Sequence, residues 1–541
     1  MKKFTVLFLA GIAIFTFGTP VSAQVPKLEF KASGFIDAQF EMLMNVNEYN
    51  KTSTLYATAP ANWAVPAGGF VGFGTGSGKG GPGWNKQDNH WESRGHLKFD
   101  AIMGPNLSGT FYFEIDTYRW GSNYANGSGF NSAAGNGREA NNFGAWTTDR
   151  TAVEVKNVYI DVGLPYFGLP VPITVRVGAQ PIGVRPAMFL YTDGAGVTAG
   201  IKIDPVLINP IYAKAVMNSD YQAADSDVWG LHASAKISTF TLGGYGLNYR
   251  MNSYPFNVNA PVAGLPANLT PVVPGSYQSK MWWVGAYADG RAGPVDINFD
   301  FVYDFGKVER NREFVVFERS VAYRGWAARA KVDYPMEKFN FGGIGMYATG
   351  GNARRSSTSG LPGTTSNIGL PSTRYDGYVV PPGAEQAPAN GESLVVYSME
   401  GGATGGYGLA ERINYGALNP GAFGGTWFGK LYGSVKATPW WKITFQGLYI
   451  GDTTKYGNTI GNAFKFPGTA SPLLRDDKDI GWELDLISEI QIYQNLRLFA
   501  GFGYLFAGDA LDAGETTKAG IRVNHSPANP WALRTRLQYT F

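Results

Sequence analysis

Residues 27–42 read KLEFKASGFIDAQFEM, and the order of residue types along this stretch decides the fold. Its even positions carry Leu28, Phe30, Ala32, Gly34, Ile36, Ala38, Phe40 and Met42. The odd positions carry Glu29, Lys31, Ser33, Asp37, Gln39 and Glu41, with Phe35 the exception. Successive side chains of a strand point to opposite faces, so this is a ribbon apolar on one side and charged on the other. It outruns the usual soluble strand of about 5–6 residues and is long enough to cross a bilayer when tilted. Turning the charged side to lipid would cost about 2–4 kcal/mol for a midplane Lys alone. Lys31 is therefore expected to face water and the even residues to face lipid.

The same alternation recurs in WESRGHLKFDAIM (91–103), VDINFDFVYDF (295–305), IGWELDLISEIQI (480–492), LRLFAGFGYLF (496–506) and WALRTRLQYTF (531–541). Counted throughout, it predicts eighteen strands, at 27–44, 91–103, 107–120, 151–164, 172–180, 193–204, 211–217, 228–237, 240–251, 281–291, 295–305, 321–334, 339–349, 426–437, 440–450, 479–492, 496–506 and 530–541. Sixteen or twenty remain open, because 350–425 has room for another hairpin. Short connections such as Gly104–Asn106 and Ala292–Pro294 alternate with longer Gly/Asn/Ser-rich ones, the asymmetry of a transmembrane barrel with short periplasmic turns and long outer loops. Trp91, Trp229, Trp282, Trp427, Trp482 and Trp531 fall near the starts of even-numbered strands on the apolar parity, where they would form a membrane-interface girdle, with Trp440 and Trp441 at the opposite interface. The parity slips near Gly243-Gly244, within 339–349 and around Asn157, where bulges are expected. The fold class is all-β, a transmembrane antiparallel barrel.

The chain opens MKKFTVLFLAGIAIFTFGTPVSAQ, with the basic, apolar and small-residue parts of a signal peptide. Cleavage after Ala23 is expected to leave residues 24–541 as one barrel domain, with nothing ahead of the first strand to serve as a plug. Any narrowing would then come from loops, the candidates being 45–90, 181–193 and 350–425. Composition suits either an exported all-β protein or an outer-membrane barrel and does not choose between them: 541 residues with 72 Gly, 14% aromatics, 16% charged residues and no Cys to form a disulfide. Net charge falls from +3 to +1 once Lys2 and Lys3 leave, which gives no basic surface for nucleic acid.

Inward parity assigns Arg94, Lys98, Glu114, Asp116, Arg176, Asp296, Asp300, Asp304, Arg329, Lys331, Glu483, Asp485, Arg534 and Arg536 to the pore lining. Closure of the last strand on the first puts Arg94, Lys98, Arg534 and Arg536 together, with Asp296, Asp300 and Asp304 across the barrel. Such walls would set up a transverse field favouring polar solutes; the alternative is a set of ordinary solvated lumen residues. GSGKGG (76–81) matches a nucleotide-loop spacing, but no helix follows it. Four His without Cys give no metal-ligand spacing. No elbow motif marks a nucleophile. No catalytic residue, metal site or cofactor is expected.

The signal peptide, the alternating strands and the C-terminal LRTRLQYTF ending at Phe541 resemble Gram-negative outer-membrane porins. VRVGAQPIG (175–183) and residues 479–511 look like the larger porins of about eighteen strands and the alginate-export-type barrels. The resemblance implies an outer-membrane location, lipid as a neighbour, a terminal Phe541 strand read by the barrel-assembly machinery, and a water-filled channel for small hydrophilic solutes or ions. It leaves open a homotrimer or a monomer. Three alternatives stand beside it: a selective transport or export barrel for an acidic polysaccharide, a sheath around a periplasmic partner protein, and a soluble exported β-protein with no membrane role. Alginate-export-type lumens imply dense arginine, whereas the inward charges here are mixed.

Overall fold

A computed structural model of the chain describes residues 27–45, 87–120, 153–164, 172–216, 225–251, 277–310, 320–351, 355–356, 370–371, 374–381, 389, 391–398, 425–455, 464–465, 473–474, 477–511, 513–516, 522–525 and 528–541. Eighteen strands form the barrel: β1 (Leu28–Met44), β2 (Gln87–Met103), β3 (Leu107–Arg119), β4 (Glu154–Gly163), β5 (Ile173–Val184), β6 (Leu190–Ile203), β7 (Val206–Val216), β8 (Ser226–Ile237), β9 (Phe240–Met251), β10 (Tyr277–Ala292), β11 (Val295–Arg310), β12 (Ser320–Met336), β13 (Phe339–Ala348), β14 (Thr426–Thr438), β15 (Trp441–Asp452), β16 (Asp479–Tyr493), β17 (Leu496–Ala507) and β18 (Trp531–Thr540). Each pairs antiparallel with its sequence neighbours, and β18 returns to β1 with Phe35 opposite Thr540 and Met44 opposite Trp531. The seam is completed beyond the last strand, where Gly34 N donates to Phe541 O at 2.9 Å and Phe541 N donates to Gly34 O at 3.0 Å. The residues described within 350–425 supply no further hairpin across the sheet. Arg374–Tyr375 adds only a two-residue parallel strand against β12.

The parity of the opening stretch holds. Asp37, Gln39 and Glu41 are buried inside, whereas Ile36 is exposed on the outer face and Phe30 is 72% exposed there. The six sequence-picked tryptophans lie on β2, β8, β10, β14, β16 and β18, at the ends nearer the long loops. Cross-strand aromatics link them: Trp91 stacks on Trp120 at 5.3 Å between ring centroids, Trp229 meets Tyr212 at 4.5 Å, and Trp482 meets Tyr449 at 4.9 Å. At the short-turn end Trp440, Tyr493, Tyr539 and Phe541 are exposed on the outside.

Of the three parity slips, one is a bulge. The β3–β4 register jumps between Tyr112 and Phe113, opposite Asn157 and Val155, so Lys156 is the extra residue. At Gly243-Gly244 and within 339–349 the ladders are continuous. Apolar residues simply begin to point inward there: Tyr245, Leu247 and Tyr249 on β9, Ile344 and Met346 on β13. They pack against loop segments that enter the barrel, forming an inner apolar cluster with Met188, Phe189, Trp283, Val379, Val395 and Val396. The parity slipped because this interior is greasy toward the long-loop end.

Gly34, beside the seam, is closely packed from both sides. A Cβ there would lie 2.1 Å from the His96 carbonyl oxygen and 3.1 Å from the Phe541 ring. Overpacking against backbone costs about 1–3 kcal/mol. Gly34→Val should therefore lower the urea midpoint of the folded barrel and weaken its compact band on unheated SDS gels, while Gly109→Val, at a site with nothing within 4 Å, should leave both unchanged.

Candidate functional site

Two connections at the long-loop end turn into the barrel. The first is short: β5 and β6 stay paired up to Val184 opposite Leu190, so the loop spans 185–189 and not the expected 181–193. Arg185 has a φ of 48°, and its carbonyl accepts from Met188 N at 2.9 Å and Phe189 N at 2.8 Å. This tight turn drives Phe189 inward to stack on Tyr245 at 4.9 Å. The second is the long connection between β13 and β14, whose segments 374–381 and 391–398 form an inner strap. Its apolar pieces, YVV (378–380) and LVVY (394–397), are buried. The two loops touch: the Tyr378 hydroxyl donates to Met188 O at 2.9 Å, and Ala389 N donates to Ala187 O at 3.3 Å. The candidate loop 45–90 lies, apart from its ends, outside the described residues.

Polar wall residues hold the strap by its backbone. Glu483 accepts from Val395 N at 2.6 Å and Val396 N at 3.0 Å. Asp485 accepts from Leu394 N at 3.3 Å, and Asp304 from Val379 N and Gly325 N, both at 3.1 Å. Trp283 Nε1 donates to Val379 O at 2.8 Å. Irregular backbone buried away from water needs such partners, since an unmade hydrogen bond there costs about 1–3 kcal/mol. Asp304, Glu483 and Asp485 thus point inward as parity says, yet meet backbone instead of open water.

Below the strap runs a chain of ion pairs. Arg185 sits between Asp300, reached from Nε and from Nη2 at 2.8 Å, and Asp289, at 2.6 and 3.0 Å, with Tyr287 beneath its guanidinium at 4.0 Å. Asn298 joins Asp289 to Arg329, whose Nη1 donates to Asn298 Oδ1 at 2.6 Å and Nη2 to Glu392 at 3.0 Å. Lys430 takes the other Glu392 oxygen and, at 2.9 Å, its carbonyl. Burial opposes ionisation of Glu392, but Lys430 and then Arg329 outweigh it and hold the carboxyl below its ordinary range.

The other sequence-picked charges are paired locally. Glu114 receives Arg94, His96 and Lys156. Lys98 meets Asp100, Arg176 meets Asp161, Asp296 meets Arg291, and Lys331 meets Asp333. Arg534 meets Glu41 and Arg536 meets Asp37 across the seam. Asp116 lies in β3, its side chain outside the described residues. The expected basic and acidic walls do not arise, because cations and carboxylates alternate on the same wall at 2.6–3.0 Å. Sequence parity missed Arg185, Asp289, Glu392 and Lys430. A signal was present for two: Arg185 is the one charge in PIGVRPAMFLY, and Glu392 lies two residues before the apolar run 394–397 inside a Gly-rich connection.

The inward turn, the pairs below it and the wall of β8, β10, β11 and β12 line an open cavity of about 790 Å³, running from Arg185 to Thr239, Arg291 and Asp296 beside the short turns. A second, of about 310 Å³, lies against β4–β8 and shares His232 with the first. His232 Nε2 is 2.8 Å from the Tyr287 hydroxyl.

Removing Arg185 would leave Asp289 and Asp300 facing each other, and breaking one side of a buried pair costs about 3–5 kcal/mol. Arg185→Ala should lose stability of that order in urea titration, more than Asp289→Asn, which leaves the Asp300 pair in place. Acid should also release the strap. A carboxyl with a lowered folded pKa stabilises above its ordinary range, and that stabilisation is lost as pH falls through the folded value. In a Val395→Cys variant of this Cys-free chain, thiol reaction with a dithiodipyridine reagent should accelerate on acidification, and adding Glu392→Gln should flatten that step.

No protein-family model matches the sequence, and no curated protein matches it. Among solved structures the chain is similar to Pseudomonas aeruginosa OpdQ, at 10% identity, TM-score 0.43, covering 95% of this chain and 98% of that one. P. aeruginosa OpdK is similar at 8% identity and TM-score 0.44, covering 94% and 98%. Vibrio cholerae OmpT is similar at 9% identity and TM-score 0.36, covering 97% and 100%. Likeness at this level says nothing of solutes, and the barrel is read from this chain's own ladder. Eighteen antiparallel strands closed edge to edge, apolar outside and polar inside, form a transmembrane β-barrel.

Proposed function

We propose that the chain forms an outer-membrane channel for the diffusion of small hydrophilic solutes or ions. The observation that carries this reading is the sidedness of the closed sheet, with Phe30, Trp229 and Phe299 outside and Asp37, Glu114 and Asp300 inside. Hydrocarbon accepts a closed barrel because no edge is left unpaired. The belts of rings at the two ends match the two membrane interfaces. Eighteen strands are too many for side chains alone to fill, so an aqueous lumen remains beside whatever the loops occlude. The strap and the Arg185 turn would then be its constriction, and the paired charges below them its polar lining. Phe541, bonded into the seam, would supply the terminal strand that the assembly machinery reads. Export of an acidic polymer would call for cations without adjoining acids, whereas Arg94, Arg176, Arg329, Arg534 and Arg536 each adjoin a carboxylate.

Purified protein in a planar lipid bilayer should give discrete current steps in potassium chloride. Glu483→Ala with Asp485→Ala, which strips the strap of its acceptors, should raise the step size or make it flicker. Membranes that stay silent at every protein concentration would overturn the reading.

A further inference from the structure

The 790 Å³ cavity is in the size range of small-molecule sites, and its charges are balanced in an unusual way. Four cations line it, Arg185, Arg291, Arg329 and Lys331, against four carboxylates, Asp289, Asp296, Asp300 and Asp333. All of them are engaged with opposite charges. Arg185 holds two of the acids, Arg291 and Asp296 are bidentate at 2.6 and 2.8 Å, Lys331 and Asp333 are 3.0 Å apart, and Arg329 reaches Glu392 at 3.0 Å. Tyr287 and His232 contribute the aromatic part of the lining.

From this we infer that the cavity is a binding and passage site for neutral polyhydroxylated solutes, sugars or polyols, in preference to ions of the same size. The inference rests on the channel reading and names its solute class. An ion that sheds water against this wall must recover that hydration energy from a counter-charge, and here the counter-charges are already taken up by one another. A polyol carries no such debt of solvation. Each paired carboxylate oxygen keeps a further lone pair, and each guanidinium presents N–H groups in a plane, so hydroxyls that leave water find acceptors and donors side by side. Hydrogen bonds from neutral hydroxyls to charged groups are among the stronger ones in proteins. Dense ion pairs therefore act toward a neutral solute as a bed of fixed dipoles.

The test uses the full-length protein in liposomes and planar bilayers with three probes on one skeleton: glucose, glucuronate and glucosamine. Glucose should enter liposomes at least about threefold faster than either charged analogue, and the reversal potential in a potassium chloride gradient should lie near zero. Asp333→Asn, which leaves Lys331 without its carboxylate, should shift the reversal potential toward anions and raise glucuronate entry relative to glucose by about threefold. Asp296→Asn does the same for Arg291 in a pair whose side chains are 57% and 42% exposed, so folding does not hinge on it. Wild-type entry of glucuronate or glucosamine ahead of glucose overturns the inference and leaves the channel standing, as does an unchanged preference in both variants. Absence of any current removes the channel reading itself.

Discussion

A strand crossing hydrocarbon must find a partner for every N–H and C=O it carries, and in this chain that requirement is met by a single ring of antiparallel ladders. Everything else hangs on its closure. The two ends of the ring are the two ends of the described chain, β1 and β18, and Gly34 beside their junction has no room for a side chain, held between the His96 carbonyl of β2 and the Phe541 ring. Because the ring fixes which face of each strand is outside, one-residue slippage anywhere would exchange lipid-facing rings for carboxylates. The alternation of residue types is therefore a register code as well as a solvent code.

Closure also creates an interior too wide for side chains, and the chain fills part of it with its own loops. These bring a problem that strands do not have: their backbone is irregular, so its polar groups lack ladder partners. The wall answers with carboxylates. Glu483, Asp485 and Asp304 receive strap N–H groups, while Glu392, carried on the strap, returns the favour to Arg329 and Lys430 on the wall. Apolar side chains of the strap then pack against inward Tyr, Leu and Met of β9, β10 and β13. On the side of β9–β13 the interior is thus layered, greasy near the long loops and ionic beneath them.

Strand number, sidedness and the alternation of turns were legible in the sequence because each depends on local spacing. VDINFDFVYDF can pair only one way if its aspartates are to avoid lipid. The connections 181–193 and 350–425 were legible as candidates for narrowing, but the manner was not. Tyr245, Leu247 and Tyr249 looked like a break in parity, since a rule of polar inside and apolar outside has no place for inward grease. Arg185 is 104 residues from Asp289 and 115 from Asp300, and no periodicity links positions so far apart. The pairing of Arg534 with Glu41 and of Arg536 with Asp37 is hidden for the same reason, which is why two opposed walls were expected from charges that neutralise each other at close range.

The strap's anchors have a consequence for how the molecule is put together. Val379 needs Asp304 and Trp283 from β11 and β10, Val395 and Val396 need Glu483 from β16, and Tyr378 needs Met188 from the turn after β5. Those groups are brought within reach of one another only when widely separated parts of the cylinder have already assembled. Docking of this segment is accordingly a late event. It reports on the whole circumference at once: a cylinder missing a stave would offer it half a socket.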